Sequence, residues 1–190
     1  MIGVLTLMVI GFRALLTFLL GTRKSKDKVI EMREVFGQQR TFSVMAPVHW
    51  LDRSDEEYFH ISASENGPSL TGGAWRYDQQ TSLRQFADAR FAGVDGMKFF
   101  KQVGKEFQLE NGSIVREYAG FWPGDRKMTS YIVVCSAAEG IAVNLSLSTA
   151  RRDYRANRFF YRRLLSSLRI LPASAGEDRP LESTSTQSRP

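Results

Sequence analysis

The sequence predicts an α+β fold, an antiparallel sheet covered by helices and preceded by one N-terminal hydrophobic helix. Three observations carry this. Short β-rich runs follow one another across turn dipeptides too tight for parallel crossovers, and two stretches of helical periodicity, after Ser82 and after Ala150, interrupt and close the strand series. The first 22 residues are apolar from end to end. The portion between that segment and a polar tail has roughly the size of one domain with its own core.

Met1 to Thr22 holds twelve Ile, Val, Leu or Phe residues and one charge, Arg13. As a helix it would reach about 33 Å, enough for a bilayer core. Twelve strong apolar residues favour insertion by roughly 4–7 kcal/mol, against about 2.5–3.5 for a central arginine. No lysine or arginine precedes the run and no Ala-x-Ala-like site follows it, which speaks against a cleaved signal peptide. The run is apolar all round, unlike an amphipathic mitochondrial targeting segment. Residues 1–22 are therefore expected to be a transmembrane anchor and 23–30 a basic linker. With Arg23, Lys24, Lys26 and Lys28 after the span, the expected localisation is membrane, single-pass, the domain facing the cytoplasm.

From residue 31 the pattern is strands first. REVFGQQRTFSVMAP reads as two strands around Gly37, the second ended by Pro47. An acidic loop follows, with Asp52, Asp55, Glu56 and Glu57; YFHISAS and SLTGGAWRY then pair across the turn signal ENGP. Ser82 and Gln85 have capping-box spacing, and Leu83, Phe86, Ala87, Val94 and Met97 recur at helical intervals, so a helix begins here. Arg90 falls within that stripe and reads as a snorkelling stem or an ion pair at the core edge. Hairpins are expected around Asn111-Gly112 and Glu139-Gly140, and a type II turn at WPGD, Trp122 to Asp125. In the last strand Ile141, Val143, Leu145 and Leu147 alternate with Ala142, Asn144, Ser146 and Ser148, so one face is buried. A closing helix and a disordered tail, 172–190, complete the chain.

The net charge of +6 is concentrated in the closing helix. Ala150 to Ile170 carries seven arginines against Asp153 alone, which accounts for the whole excess. On one helical wheel Arg151, Arg155, Arg158, Arg162 and Arg169 fall within about 60°, a positive stripe beside a core face of Tyr154, Phe160, Tyr161, Leu164, Leu165 and Leu168. Phe159 points elsewhere. The stripe is the candidate interaction surface, for an acidic protein or an anionic membrane surface; alternatively it only faces water, steadied by the acids of the 52–57 loop. Nucleic acid is disfavoured, because basic and aromatic residues are not spread over a second element.

Chemistry is sparse. His49 and His60 lack zinc spacing, and Cys135, the sole cysteine, sits in an expected strand and excludes an intrachain disulfide. No phosphate loop, nucleophile elbow or paired-carboxylate motif occurs, so no catalytic residue, metal or cofactor is expected. Trp50, Trp75 and Trp122 lie near expected turns and are candidates for exposed contacts or for covering the sheet ends.

TFSVMAPVHW, Thr41 to Trp50, and FYRRLLSSLRIL, Phe160 to Leu171, resemble the outer signatures of PsbP-like and DcrB-like domains, with the helix between Thr81 and Phe99 in the matching place. The resemblance covers about Thr41 to Leu171. It implies an α/β/α sandwich serving as a binding module: an accessory subunit, an envelope lipoprotein, or an immunity or chaperone partner of a secreted bacterial toxin. It carries over no site residue, and the lipobox cysteine of DcrB-like lipoproteins is absent near this amino terminus. The expected function is a membrane-anchored, non-catalytic protein-binding accessory domain. An enzyme or small-ligand binder with a pocket on the sheet is the alternative.

Overall fold

Residues 30–76 and 80–172 are described by a computed structural model of the chain. The anchor expected at 1–22, most of the linker at 23–30 and all but the first residue of the tail at 172–190 lie outside the described residues. Among the described residues no helix is long and apolar enough to cross a membrane.

Strand β1 (Met32–Phe36) turns back through a 3-10 turn (Gln38–Arg40) into β2 (Phe42–Pro47), pairing Met32 with Pro47 and Phe36 with Ser43. Gly37 makes this return possible, since a Cβ there would meet the Phe42 ring at 2.0 Å. Strands β3 (Leu51–Asp52), β4 (Phe59–Ser62) and β5 (Ser69–Arg76) form a meander. Helix α1 (Leu83–Asp95) opens on the expected capping box: Ser82 Oγ accepts from Gln85 N, and Gln85 Oε1 accepts from Ser82 N. Next come β6 (Phe100–Gln102), β7 (Phe107–Gln108), β8 (Ile114–Gly120), β9 (Thr129–Ala138) and β10 (Ile141–Ala150). The β9–β10 hairpin closes with Glu139 and Gly140 at φ 52° and 77°, the two left-handed residues of a primed turn. At WPGD, Asp125 N donates to Trp122 O and Gly124 has φ 88°, as a type II turn requires.

All strand pairings are antiparallel. The main sheet runs β3-β4-β5-β10-β9-β8-β6, with β7 continuing the last edge beside β8. The period-2 alternation of β9 splits the core: Val133 and Cys135 join Ala87, Phe91 and Val94 of α1, while Ile132 and Val134 face a second cluster containing Tyr154, Tyr161 and Leu164. The protein is thus α+β, with helices on both faces of an antiparallel sheet.

Two expectations change. The closing helix is two helices, α2 (Arg151–Ala156) and α3 (Arg158–Ser166), separated at Asn157, whose ψ of 24° departs from the helix. Asn157 Nδ2 donates to Asp153 Oδ1, a side-chain bond that competes with regular helix. Arg169 is not helical; with Ile170 it forms β11, pairing with Ser43 and Phe42 to complete a small β1-β2-β11 sheet. Of the two readings of the tryptophans, the structure is in keeping with packing against the sheet and not with exposed contacts. Trp50 is 4% exposed in the core, Trp122 packs against Phe100 and Tyr131, and Trp75 lies under Arg90.

Candidate functional site

The five arginines read as one stripe are dispersed by the helix break. Arg151 and Arg155 stand on α2, Arg158 and Arg162 on α3, and Arg169 on β11. What brings two of them, Arg158 and Arg162, together is an acid in β8. In the run IVREYAG, Val115 and Glu117 share one face of the strand while Arg116 turns to the other, where its guanidinium lies 4.2 Å from the Phe91 ring centre. Glu117 therefore points under α2 and α3.

Its carboxylate accepts from Tyr154 Oη at 2.7 Å, from Arg158 Nη2 at 2.9 and 3.0 Å, and from Arg162 Nη2 at 3.0 Å. Burial alone would raise the Glu117 pKa; the Tyr154, Arg158 and Arg162 hydrogen bonds outweigh it, and the group sits below its ordinary value. Burial, and then the Glu117 carboxylate, push the Tyr154 phenol up to about 12, which keeps it a donor. The Arg162 guanidinium also lies 4.3 Å from the Phe107 ring centre, tying α3 to β7.

The acids of the 52–57 loop do not steady this surface. Asp52 and Asp55 accept from backbone N–H groups of their own loop, and the Glu57 carbonyl accepts from Gln38. Asp153, the acid within the arginine run, accepts from Thr149 Oγ1 at 3.0 Å, from Asn157 Nδ2 at 2.7 Å and from Tyr161 Oη, and has no arginine partner among the described residues. Arg151 and Arg155 likewise have no carboxylate partner there. With Arg158 and Glu117 they line a cleft of about 350 Å³ reaching Val103 and Gly104 at the sheet edge. Phe159 stands on α3, 82% exposed. Glu117 was missed in the sequence although a signal exists: an acid on the same strand face as Val115, in a chain whose closing segment is rich in arginine.

Of the groups that could have pointed to catalysis, Cys135 is enclosed, His60 half-buried and His49 exposed. Cys135 is fully buried, and burial pushes its thiol up to about 12, with Asn144 Nδ2 3.6 Å from Sγ. His49 lies in the turn after β2, and His60 in β4 forms an edge contact with Tyr58 at 6.3 Å between ring centres. No cluster of three or more potential metal-ligating side chains occurs among the described residues.

No protein-family model and no curated protein sequence gives a significant match to the chain. Solved structures do. The cyanobacterial PsbP of Synechocystis aligns with a TM-score of 0.54 at 13% identity, covering 76% of this chain and 95% of that one. The fold is the PsbP/Mog1-like fold. Mog1p, a Ran-binding protein of Saccharomyces cerevisiae, aligns at 0.50 and 10% identity over 75% of this chain and 97% of its own. LpqN of Mycobacterium tuberculosis, involved in cell envelope biogenesis, aligns at 0.52 and 12% identity over 77% and 94%. At such identities the PsbP/Mog1-like likeness is one of architecture, and function has to be argued from the site.

Proposed function

We propose that the chain is a membrane-anchored, non-catalytic protein-binding module whose α2–α3 face takes an acidic protein partner. The observation that carries this reading is the pair Arg151 and Arg155, cations without a counter-charge among the described residues, which line one cleft with Arg158. Arginine is enriched in interface hot spots, and the neighbouring helix adds the exposed ring of Phe159. Glu117 supports the same reading, because it immobilises Arg158 and Arg162 and so lowers the entropy lost when they meet a partner. A binding role also suits the enclosure of Cys135, and it suits the fold shared with Mog1p, described as Ran-binding.

The test compares wild type with Arg151→Glu/Arg155→Glu, both as the full chain purified in mild detergent. Both substitutions fall in α2, where neither arginine has an ion pair to lose; glutamate at 151 suits the helix dipole, and at 155, in the last turn, it opposes it by about 0.3–1 kcal/mol, a cost the fold should bear. The expected result is a partner captured by wild type, weakened by salt, and reduced about tenfold or more by the double variant. Equal capture by both proteins would overturn the acidic-partner reading. Binding that transfers to anionic vesicles would assign the face to lipid instead.

Anchoring rests on the apolar run at 1–22 and the basic residues after it. Membrane fractionation with protease protection should find the chain in the membrane pellet with its folded part digestible from the cytoplasmic side. Recovery in the soluble fraction would remove the anchor from the proposal.

A further inference from the structure

Among the described residues, no helix covers the sheet face beside α1 over β5 and β10. Thr71, Gly73 and Trp75 pair in register with Ser146, Asn144 and Ala142, making a polar floor about 13 Å long along the strands. A groove of about 720 Å³ lies on it, within the span of roughly 300–1,000 Å³ usual for small-ligand sites. Arg90 of α1 contributes to one side; Glu56 and Glu57, from the loop between β3 and β4, contribute to another. Gly73 adds no side chain and is covered by Gln38, whose Oε1 accepts from Ala74 N at 2.8 Å and whose Nε2 donates to Glu57 O, so Gln38 forms part of the groove wall.

Arg90 is the informative residue. Its guanidinium lies 3.9 Å from the Trp75 ring centre and 5.1 Å from that of Phe86. It makes no hydrogen bond or ion pair with any described residue. Ring stacking uses the face of the guanidinium and leaves its edge N–H donors, which match a carboxylate in pairs. Burial lowers the Arg90 pKa from its ordinary value, in keeping with a cation withdrawn from water without a counter-charge. A purely anionic ligand would still meet two carboxylates across the groove. A ligand with a carboxylate and an ammonium group satisfies both. On the floor, Asn144 Nδ2 is taken up by Val134 O at 3.3 Å, while the hydroxyls of Thr71 and Ser146 add polar groups.

We propose that this groove binds a small zwitterion of the amino-acid class, its carboxylate on Arg90 and its ammonium towards Glu56 and Glu57. The site lies on the sheet face opposite α2 and α3, because Asn144 and Ser146 alternate with Val143 and Leu145 of the core shared with Tyr154 and Leu164. It does not depend on the partner reading of the arginine face.

The experiment uses the full chain in detergent, with the free amino acids as probes, read by thermal shift and by titration calorimetry. At least one amino acid should bind at submillimolar concentration, and its N-acetylated and carboxamide forms should each bind about tenfold more weakly or worse. Arg90→Met retains much of the apolar stem over Trp75 and should cost about tenfold to a hundredfold in affinity with the unliganded melting temperature little changed. Glu56→Gln/Glu57→Gln should weaken the free amino acid but not its N-acetyl form. The ligand comparison needs no variant, so it stands even if Arg90→Met folds poorly. Absence of binding at millimolar concentration, or binding indifferent to acetylation and amidation, would overturn the proposal. Binding of an acidic peptide alone would also overturn it, assigning Arg90 to a polypeptide carboxylate.

Discussion

Glu117→Ala is expected to lower the free energy of unfolding by about 3 kcal/mol in urea denaturation at neutral pH. The carboxylate is 9% exposed and receives hydrogen bonds from Tyr154, Arg158 and Arg162. Truncation leaves the Tyr154 hydroxyl buried without its acceptor and two guanidiniums facing each other without the charge between them. Their side chains are 51% and 38% exposed, so water recovers part of the loss. That exposure places the effect at the low end of the roughly 3–5 kcal/mol typical when one member of a buried pair is removed. A loss below about 1 kcal/mol would show that water replaces the carboxylate without penalty.

The same residue sets a pH dependence. Because Glu117 in the folded protein sits below its ordinary value of 4.5, the native state favours the ionised form. Its contribution is complete above the unfolded value and is lost as pH falls through the folded one. Glu117→Gln, which keeps the shape, should therefore flatten the part of the stability profile below about pH 4.5 that this group supplies. Both variants also release Arg158 and Arg162 from their counter-ion. Capture of an acidic partner should weaken, with the folded fraction accounted for, because the two arginines lose the carboxylate that holds them in place.

Phe91→Ala is the second large effect, expected to cost about 3–5 kcal/mol as a buried aromatic truncation. Phe91 is fully buried, and with Ala87 and Val94 it forms the buried side of α1. Its ring also lies under the Arg116 guanidinium, which is ion-paired with Asp95 at 2.8 Å and Glu106 at 3.1 Å. The lost ring leaves a cavity and takes the floor from that charge. Since α1 also carries Arg90, amino-acid binding should weaken in Phe91→Ala even where the protein remains folded. Urea denaturation gives the first effect and calorimetry the second; near-wild-type stability would mean that α1 is held by its rim charges and not by this ring.

The elements legible in the sequence are those decided by neighbours along the chain. The β9–β10 hairpin follows from alternation in Ile141 to Leu147 and from Glu139-Gly140, whose backbone takes the left-handed conformation the turn needs. Helix α1 follows from Ser82 and Gln85, which satisfy each other's backbone groups without help from elsewhere. The burial of Ile141, Val143, Leu145 and Leu147 is of the same kind. Even there the apolar stripe read for α1 passed over Phe91, although it stands four residues after Ala87 and three before Val94, the spacing that places it on the same face over Val133 and Cys135.

The amino-acid order by itself determined the α+β class, the hairpin turns, the capped first helix and the concentration of positive charge after Ala150. Tertiary structure alone decided that Glu117, distant in sequence, meets Arg158 and Arg162, that Arg169 leaves the helix to pair with Ser43, and that Arg90 rests on Trp75 on the sheet face of β5 and β10. The physical reason is one of range. Turn and cap preferences are settled by backbone groups a few residues apart, whereas a charge acquires its partner, or is left without one, only when folding brings separate strands and helices together.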